Sequence, residues 1–115
     1  MRALGLLAAL IAACAAWQRP PSGPVAEFEA YSLAWDRWYR AQESEADRLA
    51  TAGDPGAALA TVERLLSLGA EWSRLYADAS GWVSAVDAGA GGEAPARARR
   101  ALDAIAAWLT LRGAL

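Results

Sequence analysis

The chain has no histidine and no lysine, and only one cysteine, in 115 residues. Those absences remove the usual general base, the commonest metal ligand and the Schiff-base amine together. No Ser-His-Asp or Cys-His triad can be assembled. A single thiol, Cys14, permits neither an internal disulfide nor a thiolate zinc site, so no covalent staple compensates for a small core. The sequence therefore implies no cofactor and no metal, and we expect no enzyme. All eleven basic residues are arginine, which reads as codon usage in a GC-rich genome. The net charge of −2 argues against nucleic acid as a partner. With 56% hydrophobic and 21% charged residues, the composition is that of one small globular domain.

The first seventeen residues have the layout of an export signal. Met1 and Arg2 give a short positive start, and Ala3 to Ala16 form an uninterrupted apolar run. Such a run is about 21 Å long as a helix, against a hydrocarbon core of about 30 Å. It ends in Ile11-Ala12-Ala13-Cys14, which resembles the lipobox of bacterial lipoproteins: a branched aliphatic, two small residues, then cysteine. The resemblance implies cleavage after residue 13 and acylation of the Cys14 thiol, with fatty acids such as palmitate holding the protein to a membrane. In Gram-negative members of that family, a residue such as Ala15 goes with outer-membrane sorting. Ala13-Cys14-Ala15 also fits an ordinary small-x-small cleavage site. The same run further fits an uncleaved anchor or a buried apolar helix of a cytosolic protein. Gln18 to Pro24 holds three prolines in five residues, an extended spacer that cannot continue a helix. The expected organisation is a signal peptide over 1–13, a lipidated cysteine and tether over 14–24, and a helical domain over 25–115.

Beyond the tether, apolar residues recur at helical spacing and no long alternation argues for a strand. The expected fold class is all-α, a small four-helix bundle of two antiparallel hairpins. The first helix should start at Pro24 and run to about Ala52, with Glu27 and Glu29 near the positive end of its dipole. Gly53 fits a left-handed cap, and Asp54-Pro55 an N-cap followed by proline at the first helical position. A second helix over 55–68 would bury Ala58, Leu59, Val62, Leu65 and Leu66 and end or kink at Gly69. A third over 71–86 carries a stripe from Trp72 to Val86, with Ser80-Gly81 as a potential break. Residues 87–95 are Ala/Gly-rich and read as a loop. A fourth helix over 95–111 would bury Ala98, Ala101, Leu102, Ile105, Trp108 and Leu109. A second helix half the length of the first would cover only its C-terminal half. The third and fourth helices are then expected on its N-terminal half, bringing Trp72, Trp82 and Trp108 to Phe28, Tyr31, Trp35 and Trp38.

Residues 39–68 also resemble a degenerate tetratricopeptide repeat, a helix-turn-helix unit of protein-binding scaffolds. Leu49, Gly53, Asp54, Ala58, Leu59, Leu65, Leu66 and Leu68 carry the resemblance. Gln42 and Glu45 stand where the repeat prefers apolar residues, Val62 replaces an aromatic, and Gly69-Ala70 lacks the closing proline. A generic α-hairpin accounts for the same residues.

Six tryptophans are many for this length. Trp35, Asp36, Trp38 and Arg40 concentrate aromatic faces beside charges and are the candidate ligand or partner contacts. The two rings can stack on sugar faces while Asp36 and Arg40 supply hydrogen bonds. The competing explanation is that both rings belong to the apolar stripe and that Asp36 and Arg40 form an i, i+4 pair. Glu43, Glu45 and Asp47 form the densest acidic patch, and paired carboxylates can hydrolyse glycosidic bonds, but such work needs a cleft that a hairpin of this size has little material to build. Residues 25–54 hold seven acids, whereas Arg97, Arg99, Arg100 and Arg112 cluster near the C-terminus. Antiparallel first and last helices would let these charges meet.

The function expected is that of a small exported protein, lipid-anchored at the cell membrane or outer membrane on its extracytoplasmic side. It would serve as a non-catalytic binding or structural component of the cell envelope. Its partners would be the membrane, through the lipid on Cys14, and another envelope protein. Two different functions fit the same features: a phage-type lysis or membrane-bridging (spanin-like) lipoprotein, and a small cell-wall-binding protein.

Overall fold

The computed structural model describes residues 23–115; the leader, Cys14 and most of the proline-rich tether lie outside this range. The described residues form three helices and no strand: α1 (Pro24–Thr51), α2 (Pro55–Asp87) and α3 (Ala94–Leu111). Each has a proline in its first turn, where the missing N–H would be unsatisfied in any residue.

The turn between α1 and α2 follows directly from its sequence. Gly53 takes φ +82°, a conformation that costs a side chain dearly, and lets two amides reach back. The Asp54 N–H donates to Leu49 O at 3.0 Å and the Gly53 N–H to Ala50 O at 3.2 Å. Asp54 Oδ1 in turn accepts from the Ala57 N–H at 3.2 Å, capping α2. The same paired bonds close α2 at Ala90 and Gly89, and α3 at Ala114 and Gly113.

The expected four-helix bundle is corrected to three helices, because 55–68 and 71–86 belong to one helix of 33 residues. Neither Gly69 nor Gly81 adopts a positive φ. A helical glycine costs about 1 kcal/mol relative to alanine. Leu65 and Trp72, one turn on either side of Gly69, are both buried, and each large side chain so placed contributes roughly 1.5–3 kcal/mol. Packing on both flanks therefore outweighs the local penalty. At 1.5 Å per residue α2 is about 50 Å long and α1 about 42 Å, so α2 covers α1 along its whole length. With two short turns the order is up, down, up, and the first and last helices are parallel, not antiparallel.

The 18-residue α3 reaches only part of the hairpin. It covers the N-terminal half of α1 and the C-terminal half of α2, where the core lies. Trp35, Trp72, Ala79, Ala101, Ile105 and Leu109 form one buried cluster. Val83, Ala98 and Leu102 form a second, with Phe28, Tyr31 and Trp82 packed against it. Trp72 and Trp108 thus join Trp35 as the stripes require, while Trp82 packs one cluster away beneath the Arg97 guanidinium, 5.0 Å from its ring centroid.

Beyond the reach of α3, the hairpin tip has only two helices. Leu59, Val62 and Leu66, read from the sequence as core, are 59%, 42% and 66% exposed. They share a helical stripe, but no third element among the described residues arrives to cover it.

Two substitutions test this architecture by urea denaturation. Ile105→Ala, at a fully buried position, is expected to cost about 2–5 kcal/mol. Gly69→Ala is expected to stabilise by about 1 kcal/mol, because a Cβ there meets nothing within 4 Å; destabilisation would contradict a continuous α2.

Candidate functional site

The four candidate contact residues occupy one and a half turns of α1, and their positions on the helix separate them. Trp35 faces inward and is 9% exposed. Its ring stacks on Trp72 with centroids 5.2 Å apart and planes 15° from parallel. It stacks on Trp38 at 5.5 Å and meets Trp108 at 5.2 Å. Trp38 is half-buried on the side of α1 that faces α3. There it lines an open groove of about 470 Å³ with Gln42, Arg64, Leu68, Leu111 and Arg112. Asp36 lies on the opposite side, exposed and paired with Arg40 at 3.2 Å. The two rings and the two charged groups therefore do not share one surface. Cys14, the lipidation candidate, lies outside the described residues.

Arg112, one of the residues lining the Trp38 groove, is held by three contacts. This guanidinium sits 4.0 Å from the Trp108 ring centroid. Its Nη1 donates to Trp108 O at 3.0 Å, and its Nη2 lies 3.5 Å from Glu71 Oε2. A cation stacked on an indole and linked to a neighbouring helix ties the end of α3 to α2. Arg64, across the groove, donates to Gln42 Oε1 at 3.1 Å.

The charge complementarity between the first and last helices is realised at one point. Arg99 grips the Glu27 carboxylate with both terminal nitrogens, Nη1 to Oε2 at 2.7 Å and Nη2 to Oε1. Arg99 also donates through Nε to Asp103 at 3.0 Å, and the Tyr31 hydroxyl donates to Glu27 at 2.8 Å. The Arg99 hydrogen bonds hold the Glu27 carboxyl below its usual range; partial burial opposes this and the Tyr31 bond reinforces it. Burial first, and then the bond to Glu27, push the Tyr31 hydroxyl up. Glu45 is likewise lowered by Arg48, with which it forms a two-bond pair at 2.8 and 2.5 Å.

On the side of the hairpin opposite α3 runs a wider groove of about 580 Å³ between α1 and α2. The Phe28 and Tyr76 rings lie in it with centroids 5.0 Å apart, Leu33 is on one rim, and Glu29, Asp36 and Asp87 line its walls. Nearer the tip, Tyr39, Glu43, Asp47, Val62 and Leu66 border a smaller depression of about 140 Å³. Glu43 and Asp47 are exposed and separated by one helical turn. Nothing in the sequence alone marks this groove, although the spacing of Leu59, Val62 and Leu66 and the offset of Leu33 from the aromatic stripe are visible there.

Among the described residues no group of three or more His, Cys, Asp and Glu side chains is placed to hold a metal ion. No helix of that part is long and apolar enough to cross a membrane. No protein-family profile matches the chain, and no curated protein or solved structure is significantly similar to it.

Two measurements test these assignments. Trp35→Ala is expected to destabilise by about 3–5 kcal/mol, since the ring is stacked within the core; near-wild-type stability would mean that it serves a ligand instead. Because the Glu27 carboxyl is depressed, its contribution is complete above the unfolded-state carboxylate range and is lost as pH falls through the folded value. Between pH 7 and pH 3, thermal melting should therefore fall further for wild type than for Glu27→Gln.

Proposed function

We propose that this chain is an exported helical protein, held on the extracytoplasmic side of a cell membrane or outer membrane by lipid on Cys14, that acts by binding another envelope protein. The observation that carries the proposal is Ile11-Ala12-Ala13-Cys14, standing after a charged start and an apolar run and before a proline-rich spacer. In this reading the Cys14 sulfur takes a diacylglyceryl group, the leader is removed, and the new N-terminus embeds its acyl chains in the bilayer. One lipid chain alone gives marginal attachment, whereas two or more hold a protein firmly. In this reading the proline-rich residues that follow Cys14 link the lipid to the start of α1 at Pro24.

A binding role accords with where the chemical groups of the domain are used. The tryptophans of the helices stack in or against the core, and the Glu27–Arg99 and Arg112–Glu71 pairs tie helices together. What the domain offers outward is surface: exposed leucines at the tip and a row of carboxylates on α1.

Metabolic labelling with a radioactive fatty acid tests the anchor. Wild type is expected to take up label and to fractionate with membranes, and Cys14→Ala to lose both. Unchanged incorporation in the variant, or intact chain bearing Met1 in the soluble cell interior, would overturn the reading.

A further inference from the structure

The face of the α1–α2 hairpin turned away from α3 combines two features. The first is an unpartnered apolar seam. On α2, Leu59, Val62, Leu66, Gly69, Ser73 and Tyr76 follow one another at alternating steps of three and four, the spacing of a helix–helix seam. Leu59, Val62, Leu66 and Tyr76 are all exposed, and Gly69 and Ser73 between them leave room for a close backbone approach. Across the groove, α1 contributes Phe28 and the exposed Leu33.

The second feature is charge of one sign. Glu29, Asp36, Glu43 and Asp47 run along the same side of α1 at steps of seven, seven and four, and Asp87 closes the far end of the groove on α2. The one arginine on these two rows is Arg40, which pairs with Asp36. Glu29, Glu43, Asp47 and Asp87 have no ion-pair partner among the described residues. The arginines of α3, which offset α1 at Glu27, lie on the other face.

We propose that this face receives one amphipathic helix of another protein, whose apolar stripe is flanked by lysine or arginine, completing a four-helix bundle. The proposal rests on the binding role argued above and names its surface and the chemistry of its partner. Two packed helices offer a groove into which the ridge of a third fits. Basic side chains on the flank of that ridge nearer α1 would meet Glu29, Asp36, Glu43 and Asp47, and one at the far end of the other flank would meet Asp87 on α2. A second copy of this chain is disfavoured, because a two-fold contact through this face would set the same carboxylates against one another.

The test uses the purified full-length chain and two fluorescein-labelled helical peptides of about 22 residues, roughly 33 Å, matching the row from Val25 to Asp47. Both carry the same leucine and alanine seam; one has lysine at the flanking positions and the other glutamate. In fluorescence anisotropy the lysine peptide is expected to bind about tenfold or more tightly than its twin, with a preference that salt weakens. Glu43→Lys combined with Asp47→Lys should bring the two affinities together or invert them. Leu66→Gln should weaken both peptides several-fold, with circular dichroism verifying that each variant keeps its helices. Equal affinities in wild type, or binding of neither peptide, would overturn the proposal. So would a dimer in sedimentation that Leu66→Gln dissociates, which would give the face to a second copy. Loss of the Cys14 anchor reading would leave these affinities unmoved, and failure of both peptides would leave the fatty-acid label intact, so the two failures are separable.

Discussion

Everything in the domain is arranged around Trp35. Its indole lies 5.2 Å from Trp72 of α2 and 5.2 Å from Trp108 of α3, so one side chain of α1 touches both other helices at once. Large flat rings bury much surface with few rotatable bonds and prefer offset or tilted contacts to arbitrary ones. Three indoles in mutual contact therefore fix the rotation of each helix about its axis as well as the separation between helices. Once that rotation is set, Ile105, Leu109 and Leu102 fall inside and the charged residues outside without further specification.

The short third helix then decides what the surface looks like. With 18 residues against 28 and 33, α3 shields one face of one end of the hairpin. It brings Arg99 to Glu27 and Arg112 to Glu71, and so uses positive charge on that side. The opposite side keeps most of its carboxylates without counter-charges and its leucines without cover. The asymmetry follows from helix length and from the choice of side, and the partner chemistry argued above follows from the asymmetry.

How much of this was legible in the sequence depended on how local the determining physics was. Pro24, Pro55 and Pro95 in first turns, and Gly53 and Gly113 after last ones, act through their own backbone and marked the helix ends correctly. The burial of Trp35 was legible as a member of a stripe from Phe28 to Trp38. Gly69 was not, because a glycine inside a helix is a break or a mere weak point according to what packs on either side of it. Leu59 and Leu66 misled for a related reason: a stripe states which side of a helix can be buried, not that another element is long enough to reach it. Trp35, Asp36, Trp38 and Arg40 are neighbours in sequence, yet a helix turns about 100° per residue and sends neighbours to different faces. The groove between Phe28 and Tyr76 was out of reach altogether, since it exists only because α3 chose the other side.

The unequal helix lengths have one more consequence, which concerns motion. Backbone hydrogen bonds open most readily where few apolar contacts hold them, and at the tip the buried side chains between the two helices come down to Leu65, Ala58 and Ala46. The segments 43–51 and 55–66 can therefore fray and reclose as a unit while the tryptophan-centred end stays intact. Stiffness is graded along the long axis, firm where the chain enters at Pro24 and pliant some 40 Å away at Asp54.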